Sequence, residues 1–151
     1  MKYMLLVCHD EQAWGKVSET EQQRALDESV QLTHQLHSVG QYLDAAPLLP
    51  TSTATSVRVR EGKRLVTDGP FAETREQLAG YFLIEARDLD EAIDIAGRVP
   101  GARWGTVEIR PVKEVAGLPA ELAQRRRTGH PRSTSRSLAR RPARRSGRSE
   151  G

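Results

Sequence analysis

Gly80-Tyr81-Phe82-Leu83-Ile84-Glu85-Ala86 is an apolar run closed by the charged pair Arg87-Asp88. Its shortness and its aromatic content predict a strand rather than a helical segment. Successive side chains of a strand point to opposite faces, so Phe82 and Ile84 share one face while Tyr81 and Leu83 share the other. Both faces are apolar, which predicts a strand covered on both sides. Directly after it, Asp88 and Glu91 have the spacing of a capping box, and Leu89, Ala92, Ile93 and Ala96 recur at helical intervals until Pro100-Gly101.

Working outward, residues 2–8 form a second apolar run, ended by His9-Asp10-Glu11, that reads as a buried strand. Ser18 and Glu21 repeat the capping-box spacing. Ala25, Leu26, Ser29, Val30, Leu32, Thr33, Leu36 and Val39 then predict an amphipathic helix over 19–39, stopped by Gly40. A short strand is expected at 42–45. Val57 and Val59 alternate with Arg58 and Arg60, and Glu61-Gly62 turns the chain into 63–67, which predicts a hairpin. Thr106-Val107-Glu108-Ile109-Arg110 is the last strand. The predicted order is β-α-β-β-β-α-β, with the second and third strands short or paired.

This pattern is α+β, with two helices on one face of an antiparallel or mixed sheet in a ferredoxin-like arrangement. Two helices cover only one face. The other, carrying Tyr81 and Leu83, is expected to meet a second copy in a two-fold, sheet-on-sheet homodimer. A loop folded over that face is the alternative.

A chain of 151 residues suits one domain, expected over 1–115. That part holds 13 Lys and Arg against 18 Asp and Glu, whereas residues 116–151 hold 10 Arg against 2 Glu. From Gln124 onward the tail has almost no apolar residues and is expected to be disordered. A solvated extension is the favoured reading, and a non-specific nucleic-acid contact the lesser one. The single cysteine, Cys8, forms no internal disulfide and fits a small buried position in a reducing, cytoplasmic compartment. No signal peptide or membrane span is read.

No phosphate loop, nucleophile elbow or zinc helix is present. The histidines are His9, His34, His37 and His130, and they form no closely spaced metal set, so neither metal nor cofactor is assigned. His34 and His37 read as a partly solvated pair on one helix face. His9 follows the first strand, where a loop can present a general acid or base. In Thr67-Asp68-Gly69-Pro70-Phe71-Ala72-Glu73 the usual Asx-turn donor is missing, because Pro70 has no N–H. Asp68 therefore either belongs to a rigid turn anchored by Phe71 in the core, bonding further along at the N–H of Phe71 or Ala72, or stays free toward solvent, an arginine or a ligand. Gly69, Glu73 and Arg75 stand close enough in sequence to share that site. Thr74 and Gln77 have capping-box spacing and predict one helical turn before Gly80.

The motif Val66-Thr67-Asp68-Gly69-Pro70-Phe71-Ala72-Glu73-Thr74, together with Met1 to Val7, the hairpin 57–63, residues 76–84, 88–92 and 107–112, resembles the DGPF branch of the YCII-related family over about residues 1–113. The resemblance implies a ferredoxin-like fold assembled as a dimeric α/β barrel. It also implies a His and Asp pair in a cleft, with Asp68 in the motif. One relative is a dehydrochlorinase of a chlorinated hydroxyhydroquinone, and the branch tends to accompany extracytoplasmic-function sigma factors. Two functions are thus expected in turn. The first is a dimeric protein that binds a small polar or aromatic metabolite, with Asp68 as base or anchor, His9 as its acid partner and Arg75 as an anion contact. The second is a non-enzymatic regulatory module of a sigma-factor system.

Overall fold

The apolar runs pair with one another in a computed structural model that describes residues 1–118. In chain order the elements are β1 (Lys2–His9), α1 (Glu11–Trp14), α2 (Glu19–Ser38), β2 (Tyr42–Pro47), β3 (Thr55–Arg60), β4 (Lys63–Asp68), β5 (Gln77–Glu85), α3 (Leu89–Arg98), α4 (Gly101–Trp104) and β6 (Gly105–Pro111). A single 3-10 turn at Thr51–Thr53 precedes β3. Residues Met1–Ala116 form one compact unit. The expectations for the arginine-rich tail beyond residue 118 lie outside the described residues.

Four strands form an antiparallel sheet in the order β2-β5-β1-β6, the ferredoxin-like arrangement. The two long runs became its centre because both are apolar on both faces. Leu5 sits opposite Phe82 on one side and Ile109 on the other. Leu5 and Ile84 are wholly buried. Leu32 and Leu36 from α2, with Ala92, Ile95 and Ala96 from α3, close the core over this same face. Truncating a side chain such as Leu5 to alanine costs about 2–5 kcal/mol in a core of this kind.

Both helix starts are capped as their spacing predicts. The Ser18 hydroxyl accepts the Glu21 N–H and donates to the Glu21 carboxylate, and Asp88 accepts the Glu91 N–H at 2.9 Å. At the other end of α2, the Gly40 N–H donates to the His37 carbonyl and that of Gln41 to the Leu36 carbonyl. His34 and His37 are exposed.

β3 and β4 form a separate two-stranded hairpin. Its turn places Glu61 at φ 51° and Gly62 at φ 73°, the positive values of a primed turn that the glycine makes accessible. The hairpin stands in solvent, with Val57, Val59 and Val66 all more than half exposed.

Several expectations are corrected. All six strand runs read from the sequence form, one more than the written order β-α-β-β-β-α-β counts, whereas the short helices α1 and α4 were not foreseen. Phe71 is not a core anchor: it is 80% exposed. No helical turn forms at 74–77, because Gln77 begins β5 and Thr74 hydrogen-bonds locally to Glu76 and Gln77 instead. Cys8 is only partly buried, since it pairs across to Leu78 and Thr106 on the face that the helices leave open. That open face also carries Met4, Leu6, Tyr81 and Leu83, all half-buried. No helix among the described residues is long and apolar enough to cross a membrane.

Candidate functional site

Strand alternation that buries Tyr3 and Leu5 carries Val7 and then His9 to the helix side of the sheet, at the strand's C-terminal end. The chain cannot continue straight. Asp10 caps α1, its carboxylate accepting the N–H groups of Gln12 at 2.9 Å and Ala13 at 3.1 Å. That single helical turn folds Trp14 back over the strand end. The His9 imidazole stacks on its indole with centroids 5.1 Å apart and planes inclined by 26°. Trp14 in turn meets Trp104 edge to face at 5.5 Å.

Trp104 arrives there because α4 presses on β1 through glycines. A methyl group at Gly105 would collide with the Cys8 carbonyl oxygen and lie 2.9 Å from the Cα of His9, and one at Gly101 would strike the Val7 side chain. On the far side, Glu11 fixes the segment before β3. Its carboxylate accepts the Thr51 N–H at 2.8 Å and the Thr51 hydroxyl at 2.7 Å, while its own N–H donates to Gln77 at 3.0 Å.

These elements enclose a cleft of about 1150 Å³ between α2 and the sheet. Its walls are mostly apolar: Leu26 and Val30 from α2, Ala45 and Leu48 from β2 and the segment after it, Phe82 from β5, and the two tryptophans. Such a volume and lining suit a small organic molecule. Leu26 and Val30 are 46% and 47% exposed, so part of the apolar stripe of α2 faces this cleft instead of the core.

His9 is the histidine of the cleft wall. Burial pushes its pKa below the ordinary 6.5, against the opposing pull of the carboxylates of Glu11, Asp10 and Glu76. The imidazole is therefore neutral at pH 7. Neither ring nitrogen is hydrogen-bonded among the described residues, so one nitrogen offers a lone pair and the other an N–H. On the opposite face of the sheet, burial first and then Glu108 and Glu76 raise the Cys8 thiol pKa, which keeps it protonated and unreactive. No group of three metal-ligating side chains converges among the described residues.

The loop at 67–73 lies elsewhere. Gly69, at φ 98°, donates its N–H to the Ala54 carbonyl at 2.7 Å and accepts the Ser56 hydroxyl at 2.7 Å. Asp68, Glu73 and Arg75 are exposed, and their side chains make no hydrogen bond or ion pair among the described residues. None of Asp68, Gly69, Glu73 and Arg75 lines the cleft, so His9 and Asp68 are not brought together within it. Sequence reasoning missed Trp14 and Trp104. The signal for the first was present, since Asp10 ahead of Glu11-Gln12-Ala13-Trp14 is a helix N-cap pattern.

The family model described as a YCII-related domain matches residues 1–116. An uncharacterised protein of Rhizobium meliloti (strain 1021) is 36% identical over 114 residues, which cover 74% of this chain and 92% of that relative.

Proposed function

This chain belongs to the family of YCII-related domains, and from that premise we propose that it binds a small, largely apolar molecule in the cleft between α2 and the sheet, with His9 as its acid–base group. The observation that carries this reading is the neutral His9 ring, with no protein hydrogen bond among the described residues, set at the wall of an apolar cleft of about 1150 Å³. An imidazole so placed accepts a proton from a bound hydroxyl or carbon acid, and the carboxylates of Glu11, Asp10 and Glu76 stabilise the imidazolium that forms.

Residues 1–115 are the functional domain in this reading, and the motif around Asp68 supports membership of the DGPF branch. Asp68, outside the cleft, is the anchor of the competing reading. Its exposed carboxylate sits beside Gly69, which ties the loop through Ala54 to the segment that Glu11 clamps. The half-buried open face, with Tyr81 and Leu83, supports a two-fold homodimer, and the lone free Cys8 fits a reducing cytoplasm.

The test uses the position of both tryptophans in the cleft wall. Nile red, a neutral apolar dye, is titrated while indole emission and energy transfer to the dye are followed, and neutral phenols and indoles are then used as competitors. Saturable binding with competition and a raised Tm is expected. A dye that neither saturates nor receives energy from the indoles overturns the reading. Competitors are next assayed for turnover, and loss of turnover in His9→Ala identifies the acid–base group.

A further inference from the structure

The charges along the cleft are all of one sign. Glu11 and Glu19 are the ionisable carboxylates among its lining residues, and no lysine or arginine lines it. At the His9 end, Asp10 and Glu76 add to the same negative field. The two arginines that reach across to α2 are occupied outside the cleft: Arg103 by Glu28 at 2.7 Å and Arg98 by Gln35 at 2.7 Å. The N-terminus of α2 bears a partial positive charge, but Glu19 and Glu21 stand in its first turn and Ser18 caps it.

An anion entering this apolar space would meet no countercharge while losing its hydration, which is costly. A cation meets the opposite conditions. Its charge lies between carboxylates and the negative faces of the indoles, and its apolar substituents fill walls built from Leu26, Val30 and Phe82. Trp104 keeps 40% of its surface exposed, so an indole is open to such a contact.

We propose that the cleft selects an organic cation with an apolar body, an alkyl- or arylammonium compound, over carboxylates, sulfonates and phosphates. This rests on the reading of the cleft as a ligand site, and it names the charge of the ligand.

Three probes that share a phenyl ring and differ in charge separate the two ideas: phenyltrimethylammonium, neutral tert-butylbenzene and benzenesulfonate. Each is titrated into the full-length protein at low salt while tryptophan emission is read. Phenyltrimethylammonium is expected to bind about 5- to 30-fold tighter than tert-butylbenzene, the range of a partly desolvated cation–π contact, with benzenesulfonate weakest. Glu19→Gln, an exposed change, should cut the cation's advantage about two- to fivefold and leave tert-butylbenzene unaffected. If tert-butylbenzene saturates and the cation binds no tighter, or the sulfonate matches it, the charge preference is overturned while the cleft remains a ligand site. If none of the three perturbs the indoles, both readings fall.

Discussion

The imidazole of His9 lies stacked on the indole of Trp14, 5.1 Å between centroids. Because burial holds the His9 pKa below 6.5, the folded protein binds fewer protons at this site than the unfolded chain. Stability linked to His9 is therefore fully present above pH 6.5 and lost as pH falls through the lowered folded value. Urea titrations at about pH 7.5 and about pH 5.5 should show a larger loss for the wild type than for His9→Gln. Equal losses would mean that the imidazole is not desolvated. Protonation should also quench Trp14 emission over the same interval.

The approach of α4 to β1 depends on Gly105. A side chain there meets the Cys8 carbonyl and the His9 Cα, both backbone atoms that cannot move aside without shifting β1 or β6. Gly105→Ala should cost about 1–3 kcal/mol of stability by overpacking and should displace Trp104 from Trp14. Chemical denaturation measures the first effect, and the near-UV signal of the tryptophan pair measures the second. An alanine tolerated within about 0.5 kcal/mol would contradict the close approach.

Glu11 and Thr51 join segments that are distant along the chain by two hydrogen bonds to one carboxylate. A sheltered bond to a charged acceptor contributes about 1.5–3 kcal/mol net of water exchange, and partial exposure lowers that contribution. Glu11→Ala should cost about 1–2 kcal/mol and increase amide exchange over 48–54 more than over β1. Exchange that rises equally throughout would mean that Glu11 supports the whole domain and not that segment.

The elements that were legible in the sequence are those whose residues have one dominant reason to be where they are. The double apolar faces of β1 and β5 made them central strands, and Ser18 and Asp88 announced their helices through caps that the structure contains. The cleft was not legible, because periodicity cannot distinguish an apolar residue facing the core from one facing a hole. Leu26 and Val30 have the same helical spacing as Leu32 and Leu36, yet only the latter pair is buried. Phe71 failed for a related reason. A lone aromatic in a Pro-containing loop looks like an anchor, and nothing local shows that the loop extends away from the core. Trp104 was hidden because Gly101 and Gly105 act through contacts with β1 that are remote in sequence.

Leu83 faces Met4 in register on the side of the sheet without helices. In a two-fold dimer through that face a carboxylate here would be buried against apolar side chains, whereas in a monomer it would remain in solvent. Leu83→Glu should therefore convert a dimer to a folded monomer in light scattering, with little change in far-UV signal. A wild type that is already monomeric at micromolar concentration removes the dimer from the proposal and leaves the cleft untouched.

His9 lines the cleft and Asp68 does not, so substitutions at the two positions make opposed predictions. If the cleft is the site of chemistry, His9→Ala should lower turnover of any substrate found by about 10²- to 10⁴-fold, the usual contribution of a positioned acid–base group. Asp68→Asn, isosteric and exposed, should leave ligand affinity within about threefold and stability within about 0.5 kcal/mol. The reverse ordering, with Asp68→Asn severe and His9→Ala mild, would move the site to the loop at 67–73. Because the Asp68 side chain has no protein hydrogen bond to lose among the described residues, a severe effect there would have to come from contact with the ligand or with a second copy of the chain. Repeating the titration with the Leu83→Glu protein separates those two sources. An Asp68 effect that persists in the monomer belongs to the ligand, and one that disappears belongs to the partner.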